Sequence, residues 1–211
     1  TTVIQKLDQN VLNFEFLSDP TRKAEVTDAL LTFIQGYKGW ISEQKNCNKL
    51  SSEDEILTAE DILSKAIIAQ NRMLKGVSTL QNDEKAWKAF SRMNQAMLMQ
   101  MRGMNKSRET TYYWRPFQLA FVLMTIDSLI DDDSLFRDIV DLIWFPTGGG
   151  KTEAYLGAMA FLAVYRRLRY PSSGHGTAVI MRYTLRLLTA QQFIRASKII
   201  CALELIRVSN N

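Results

Sequence analysis

The sequence predicts an α/β chain with an all-α N-terminal region, residues 1–108, followed by an α/β segment, residues 109–211, built as a parallel βαβ unit. Three observations predict this. Apolar residues recur at three- and four-residue steps as far as about residue 108. Two short runs rich in β-branched or aromatic residues, 140–145 and 177–181, bracket a long apolar helical pattern. A Gly-rich turn joins the first run to that helix. Two strands separated by one helix in such a unit lie parallel.

Composition sets the bounds. The chain has 211 residues, enough for one ordinary domain or for a small helical domain joined to part of a larger one. Hydrophobic residues make up 46% and charged residues 23%, which argues against global disorder. Cys47 and Cys201 are the two cysteines and both sit in helix-like apolar patterns. They do not make a disulfide framework, so a reducing, cytoplasmic compartment is expected. His175 is the one histidine, in a Gly/Ser-rich stretch, and with two scattered cysteines it cannot make a zinc site of the usual spacing. The net charge of +4 permits nucleic-acid binding without locating it. No signal peptide is visible, and the longest apolar run, 119–126, is far short of the roughly 20 residues of a membrane span. The chain starts at Thr1 and ends in polar Ser209, Asn210 and Asn211, so a segment of a longer protein is expected.

The N-terminal region reads as a series of amphipathic helices. Residues 21–33 place Ala24, Val26, Leu30, Leu31 and Phe33 on one face, and Gly36 and Gly39 punctuate the chain just beyond them. Ser52 to Glu55 has the spacing of a capping box, in which hydroxyl and carboxylate exchange hydrogen bonds with the backbone. Ile56, Leu57, Ile62, Leu63, Ala66, Ile67, Met73 and Leu74 come next at helical spacing. Residues 83–104 form a long helix with Trp87, Phe90, Met93 or Asn94, Met97, Leu98 and Met101 on one face. A methionine face can be an adaptable docking surface, but an amphipathic face is more often buried, and a place in the core is expected. Residues 101–111 carry Arg102, Lys106 and Arg108 without an apolar period and read as a connector.

Beyond the connector the texture changes. Pro116 suits a first helical position, and 117–130 continue as an apolar helix. Asp131, Asp132 and Asp133 break it. A metal site is one reading; the better one is that Asp133 or Ser134 caps a short helix over 135–139. Residues 140–145 read as a buried strand, 146–150 as a turn and 151–170 as a helix ending in Arg166, Arg167 and Arg169, cations that suit a helix C-terminus. A loop over 171–176, a second strand over 177–181 and a final helix over about 188–208 complete the chain.

The turn carries the chemistry. Phe145, Pro146, Thr147, Gly148, Gly149, Gly150, Lys151 and Thr152 fit the phosphate-loop pattern G-x-x-x-x-G-K-[ST], with Phe145 where a small residue is usual. Backbone N–H groups at a helix N-terminus can wrap the phosphates of a nucleotide, and glycines allow the close approach. Lys151 supplies a point charge for the β- and γ-phosphates, and the Thr152 hydroxyl can ligate the bridging Mg²⁺. ATP and Mg²⁺ are thus the expected cofactors, Lys151 and Thr152 the catalytic pair and Thr152 the metal ligand.

Pro146-Thr147-Gly148-Gly149-Gly150-Lys151-Thr152-Glu153 resembles motif I of superfamily 2 helicases. Trp114-Arg115-Pro116-Phe117-Gln118 resembles the segment that precedes it, and 181–193, from Met181 to Phe193, resembles motif Ia. The resemblance implies an incomplete RecA-like P-loop NTPase domain over 109–211. It implies that Gln118 reads adenine, with Arg115 nearby, and an amide can pair with adenine's donor and acceptor together. It implies that Thr184 grips a nucleic-acid phosphate, supported by Arg182, Arg186 and Gln191. Taken together these runs, over about 86–207, look like the helicase component of DISARM anti-phage systems. DNA, single-stranded DNA included, and other defence proteins are then the expected partners, with no membrane.

Parts of such an enzyme are missing. It needs an Asp-Glu strand motif and an arginine finger from a second domain, whereas Glu153 and Glu204 are the only carboxylates after Lys151. This segment alone is therefore expected to bind nucleotide weakly and to hydrolyse little. The competing reading makes residues 1–108 a non-catalytic helical module for partner docking or DNA loading, carrying a nucleotide-sensing loop. A phosphate-loop kinase or transporter ATPase leaves the Arg115–Gln118 and 184–186 runs unexplained.

Overall fold

The computed structural model describes residues 9–46, 52–104, 110–144, 146, 148–182 and 186–209, with Met104 and residues 186–189 described in backbone only. Seven α-helices lie among the described residues. They are α1 (Phe14–Ser18), α2 (Lys23–Lys45), α3 (Glu53–Asn82), α4 (Glu84–Met104), α5 (Pro116–Ile130), α6 (Lys151–Arg169) and α7 (Arg186–Ser209). Short 3-10 turns at Gln9–Leu12 and Pro20–Arg22 flank α1.

The start signals at Ser52 and Pro116 work as the sequence predicts. Ser52 Oγ accepts from Glu55 N at 3.2 Å and Glu55 Oε2 accepts from Ser52 N at 3.3 Å, which closes both halves of the box ahead of α3. Asp83, expected as the first residue of the long helix, instead precedes α4 and caps it, its Oδ1 accepting from Lys85 N at 2.7 Å and Ala86 N at 3.2 Å. Pro116 opens α5.

Helix α4 is the axis of the molecule. It packs on α1, α3, α6 and α7. Trp87, Phe90, Met93 and Met97 are buried along it, so its methionine face is core and not an open docking surface. The same core takes in Val26 and Leu30 of α2, Val77 and Leu80 of α3, Leu119 and Leu123 of α5, and Leu156 and Phe161 of α6. One continuous core therefore draws on both sides of the connector.

Trp114 locks this assembly together. Its side chain is buried, its ring lies 4.6 Å from that of Phe14, and its indole N–H donates to Asn94 Oδ1 at 2.7 Å. Asn94 is fully buried, and its amide N–H donates to the Phe90 carbonyl at 2.9 Å. Both amide ends are thus satisfied, as burial of a polar group demands. The backbone joins in: Trp114 N donates to Leu12 O at 2.8 Å and Phe14 N donates to Tyr112 O at 3.2 Å. This antiparallel bridge at Asn13 and Tyr113 is the β-type pairing found among the described residues.

The expected βαβ unit does not form. Among the described residues there is no strand and no sheet, and the fold is all-α. The RecA-like reading of 109–211 is overturned with it. Residues 139–144 and 177–182 lack regular secondary structure. The run expected to be a buried strand is turned outward: Val140 is 91%, Leu142 79% and Trp144 90% exposed. Strand propensity records how well a side chain fits a pleated, half-buried surface, and a backbone ladder needs a neighbour at about 4.8 Å. Neither run has one among the described residues. What holds the first run is a salt bridge. Arg72 of α3 donates to both carboxylate oxygens of Asp141, at 2.5 and 2.7 Å, and its guanidinium lies over the Phe136 ring. Residues 135–138 form turns and not the expected helix. Ser134 Oγ accepts from Phe136 N at 3.4 Å and donates to Asp127 Oδ2 at 2.9 Å, while Asp131 Oδ1 accepts from Asp133 N at 3.0 Å. No group of three or more His, Cys, Asp or Glu side chains among the described residues could hold a metal ion. Cys47 lies outside the described residues; Cys201 is an exposed free thiol. No described helix is long and apolar enough to cross a membrane.

Helices α3 and α5 touch through backbone. A Cβ placed on Gly76 would lie 2.0 Å from the Leu123 carbonyl oxygen, closer than any real contact. Gly76→Ala must push the two helices apart. We expect a loss of about 2–3 kcal/mol in folding stability, measured by urea denaturation; a loss below about 0.5 kcal/mol contradicts this packing.

Candidate nucleotide-binding site

The Gly-rich loop ends where α6 begins. Gly150 is the N-cap of α6, with φ of 83°, and Gly148 has φ of 79°. L side chains rarely adopt this left-handed backbone, so glycine is what the loop requires at both positions. The loop turns on a hydrogen bond from Gly149 N to Pro146 O at 3.1 Å. Gly150 brings no side chain to cap α6, so the helix presents its first backbone N–H groups, and with them its positive dipole end, beside the loop. Lys151 and Thr152 are the first residues of α6, both partly exposed.

The start of α5 holds this loop. Arg115 Nη1 donates to the Gly149 carbonyl at 2.8 Å. Gln118 is 4% exposed; its Nε2 donates to the Gly150 carbonyl at 2.6 Å and its Oε1 accepts from Arg115 N at 2.8 Å. The segment that sequence reasoning assigns to the base therefore braces the Gly-rich loop directly. Both of these bonds to the loop end on carbonyls, which turns the acceptors toward α5, while no side chain caps the head of α6. Base recognition by Gln118 would require both of its amide bonds to be exchanged.

Glu153 and Arg195 complete the neighbourhood. Glu153 lies in the first turn of α6, where a carboxylate suits the dipole, and it forms an ion pair with Arg195 of α7. Both side chains are largely buried. Burial pushes the Arg195 guanidinium below its ordinary range. Sequence reasoning missed this partnership. The available signal was a cation, Arg195, set directly after the apolar pair Phe193 and Ile194.

Of the other expected site residues, Thr147 and Thr184 lie outside the described residues, and the Arg186 side chain does too. Arg186 opens α7, Gln191 is exposed on it, and Arg182 is exposed ahead of it. The structure thus brings together Arg115, Gln118, Gly149 and Gly150 by direct hydrogen bonds, with Lys151 and Thr152 adjoining them in sequence.

Gln118→Ala removes both bonds and strands the Gly150 carbonyl. We expect about 1–3 kcal/mol of lost stability and faster amide exchange over residues 148–153. Unchanged exchange there would show that Gln118 does not hold the loop.

No family model matches the chain. It is similar to the DISARM protein DrmA of Bacillus paralicheniformis (strain ATCC 9945a / NCIMB 11709 / CD-2), with 38% identity over 229 aligned residues. That alignment takes in 98% of this chain and 20% of the relative, so the chain spans about a fifth of the length of the curated protein it matches.

Proposed function

We propose that this chain is the nucleotide-binding part of a DrmA-like protein of DISARM anti-phage defence, and that the whole protein couples ATP hydrolysis to movement on DNA. The observation that carries the reading is the loop at the head of α6. Two left-handed glycines, Gly148 and Gly150, precede Lys151 and Thr152 at an uncapped helix N-terminus, and Arg115 and Gln118 fix the loop's carbonyls. Such a terminus favours a phosphate through its N–H groups and its dipole. The similarity to DrmA supports the defence setting, and a cytoplasmic location is part of the proposal.

The residues fit the group. A Cβ at Gly150 would meet the Gln118 amide at 2.7 Å, so the loop closes against α5 only with glycine there. When bound, ATP would be held by backbone N–H groups at the head of α6 and by Lys151, with Thr152 as the Mg²⁺ ligand; it supplies the phosphoanhydride bond. The DNA contacts are assigned to Arg182, Thr184, Arg186 and Gln191 on the resemblance to motif Ia. Arg182 and Gln191 are exposed, as such contacts require. The acidic motif and arginine finger belong to the remainder of the protein in this reading.

In the full-length protein, Lys151→Ala is expected to weaken MgATP binding by about tenfold or more and to abolish DNA-stimulated hydrolysis. DNA binding should stay within about twofold, since Lys151 is not a backbone-contact residue. Calorimetry, a phosphate-release assay and a gel-shift series read the three quantities. ATPase activity that survives the substitution would sink the proposal.

A further inference from the structure

We infer that Arg195 is a positioning residue for the nucleotide site: it holds and neutralises Glu153 so that the head of α6 can accept a polyphosphate, and in doing so it ties α6 to α7. This deepens the nucleotide reading above and rests on it.

Charge is the first consideration. Glu153 sits in the first turn of α6, and its Oε2 lies 3.3 Å from where a Cβ on Gly150 would be. The carboxylate is therefore packed against the last glycine of the loop, near enough to act electrostatically on an anion held there. Left unpaired and largely buried, it would repel a triphosphate, and the repulsion would be strong because the local dielectric is low. Arg195 removes that obstacle by pairing with Glu153 Oε1. The pair is not a solvent-screened surface contact, since the two side chains are 26% and 13% exposed. Burial has a cost for Arg195, whose guanidinium is held below its ordinary range and whose Nε is buried without a hydrogen-bond partner.

The position of Arg195 supplies the linkage. It lies on α7, four positions after Gln191, and its carbonyl accepts from Gln100 Nε2 of α4 at 3.4 Å. Its ion pair with Glu153 therefore ties the head of α6 to the helix that also carries the exposed Gln191.

The test is a charge cycle in the full-length protein, with MgATP binding read by calorimetry. Arg195→Ala is expected to weaken binding by about tenfold. Adding Glu153→Gln in that background is expected to restore affinity to within about threefold of wild type, because the charge that Arg195 cancels is gone. Glu153→Gln alone should bind no more weakly than wild type. If Arg195→Ala loses its helical circular-dichroism signal, Arg195→Gln, closer in size, takes its place in the same cycle. Unchanged affinity in the Arg195 variant, or a loss that Glu153→Gln does not rescue, overturns the role of Arg195 while Lys151-dependent binding stands. Absence of MgATP binding in the wild type, or equal binding by Lys151→Ala, sinks the nucleotide reading and this inference with it.

Discussion

The buried hydrogen bond between Trp114 and Asn94 organises this molecule. It places an aromatic ring from the segment before α5 against α1 and α4 at once, and it does so where no water can substitute for a missing partner. A buried donor and acceptor that meet only each other specify one register. Because Trp114 is followed directly by Arg115 and, three residues on, by Gln118, the anchor also sets the two side chains that reach the Gly-rich loop. Core packing and loop geometry are therefore one problem with one solution. The loop is shaped by a wall of side chains and not by a flanking sheet.

That arrangement gives the head of α6 a defined electrostatic character. The carbonyls of Gly149 and Gly150 are occupied by Arg115 and Gln118, so the face turned away from α5 is donor-rich. Lys151 and the helix dipole add positive potential, and the nearby carboxylate of Glu153 is compensated by Arg195. An anion at this position meets donors and a cation, with its principal electrostatic competitor already paired.

Much of the helical architecture was legible because it is written locally. The Ser52 to Glu55 box and Pro116 each act within a few residues, and each does what its sequence predicts. The methionine face of α4 was legible by its period. The failed strands are the opposite case. Residues 140–145 and 177–181 have the composition of strands, but pairing is a property of neighbours and composition cannot supply one. Asp141, expected on a ladder, is instead clamped by Arg72 across 69 positions, a contact no local pattern announces. At the site, the glycines and Lys151-Thr152 were readable by pattern. The bracing by Gln118 was foreseen as proximity to the nucleotide and found as proximity to the loop. Arg195 was not foreseen, because its partner lies 42 positions away in the chain and its meaning depends on burial.

Amide hydrogen exchange on full-length Trp114→Phe, which keeps an aromatic ring and deletes the bond to Asn94, tests the central claim most directly. Faster exchange is expected in two places distant in sequence, the first turn of α5 and residues 148–153, with the outer half of α3 unaltered. Protection of 148–153 that is unchanged while α5 loosens would contradict the claim that this buried bond sets the loop.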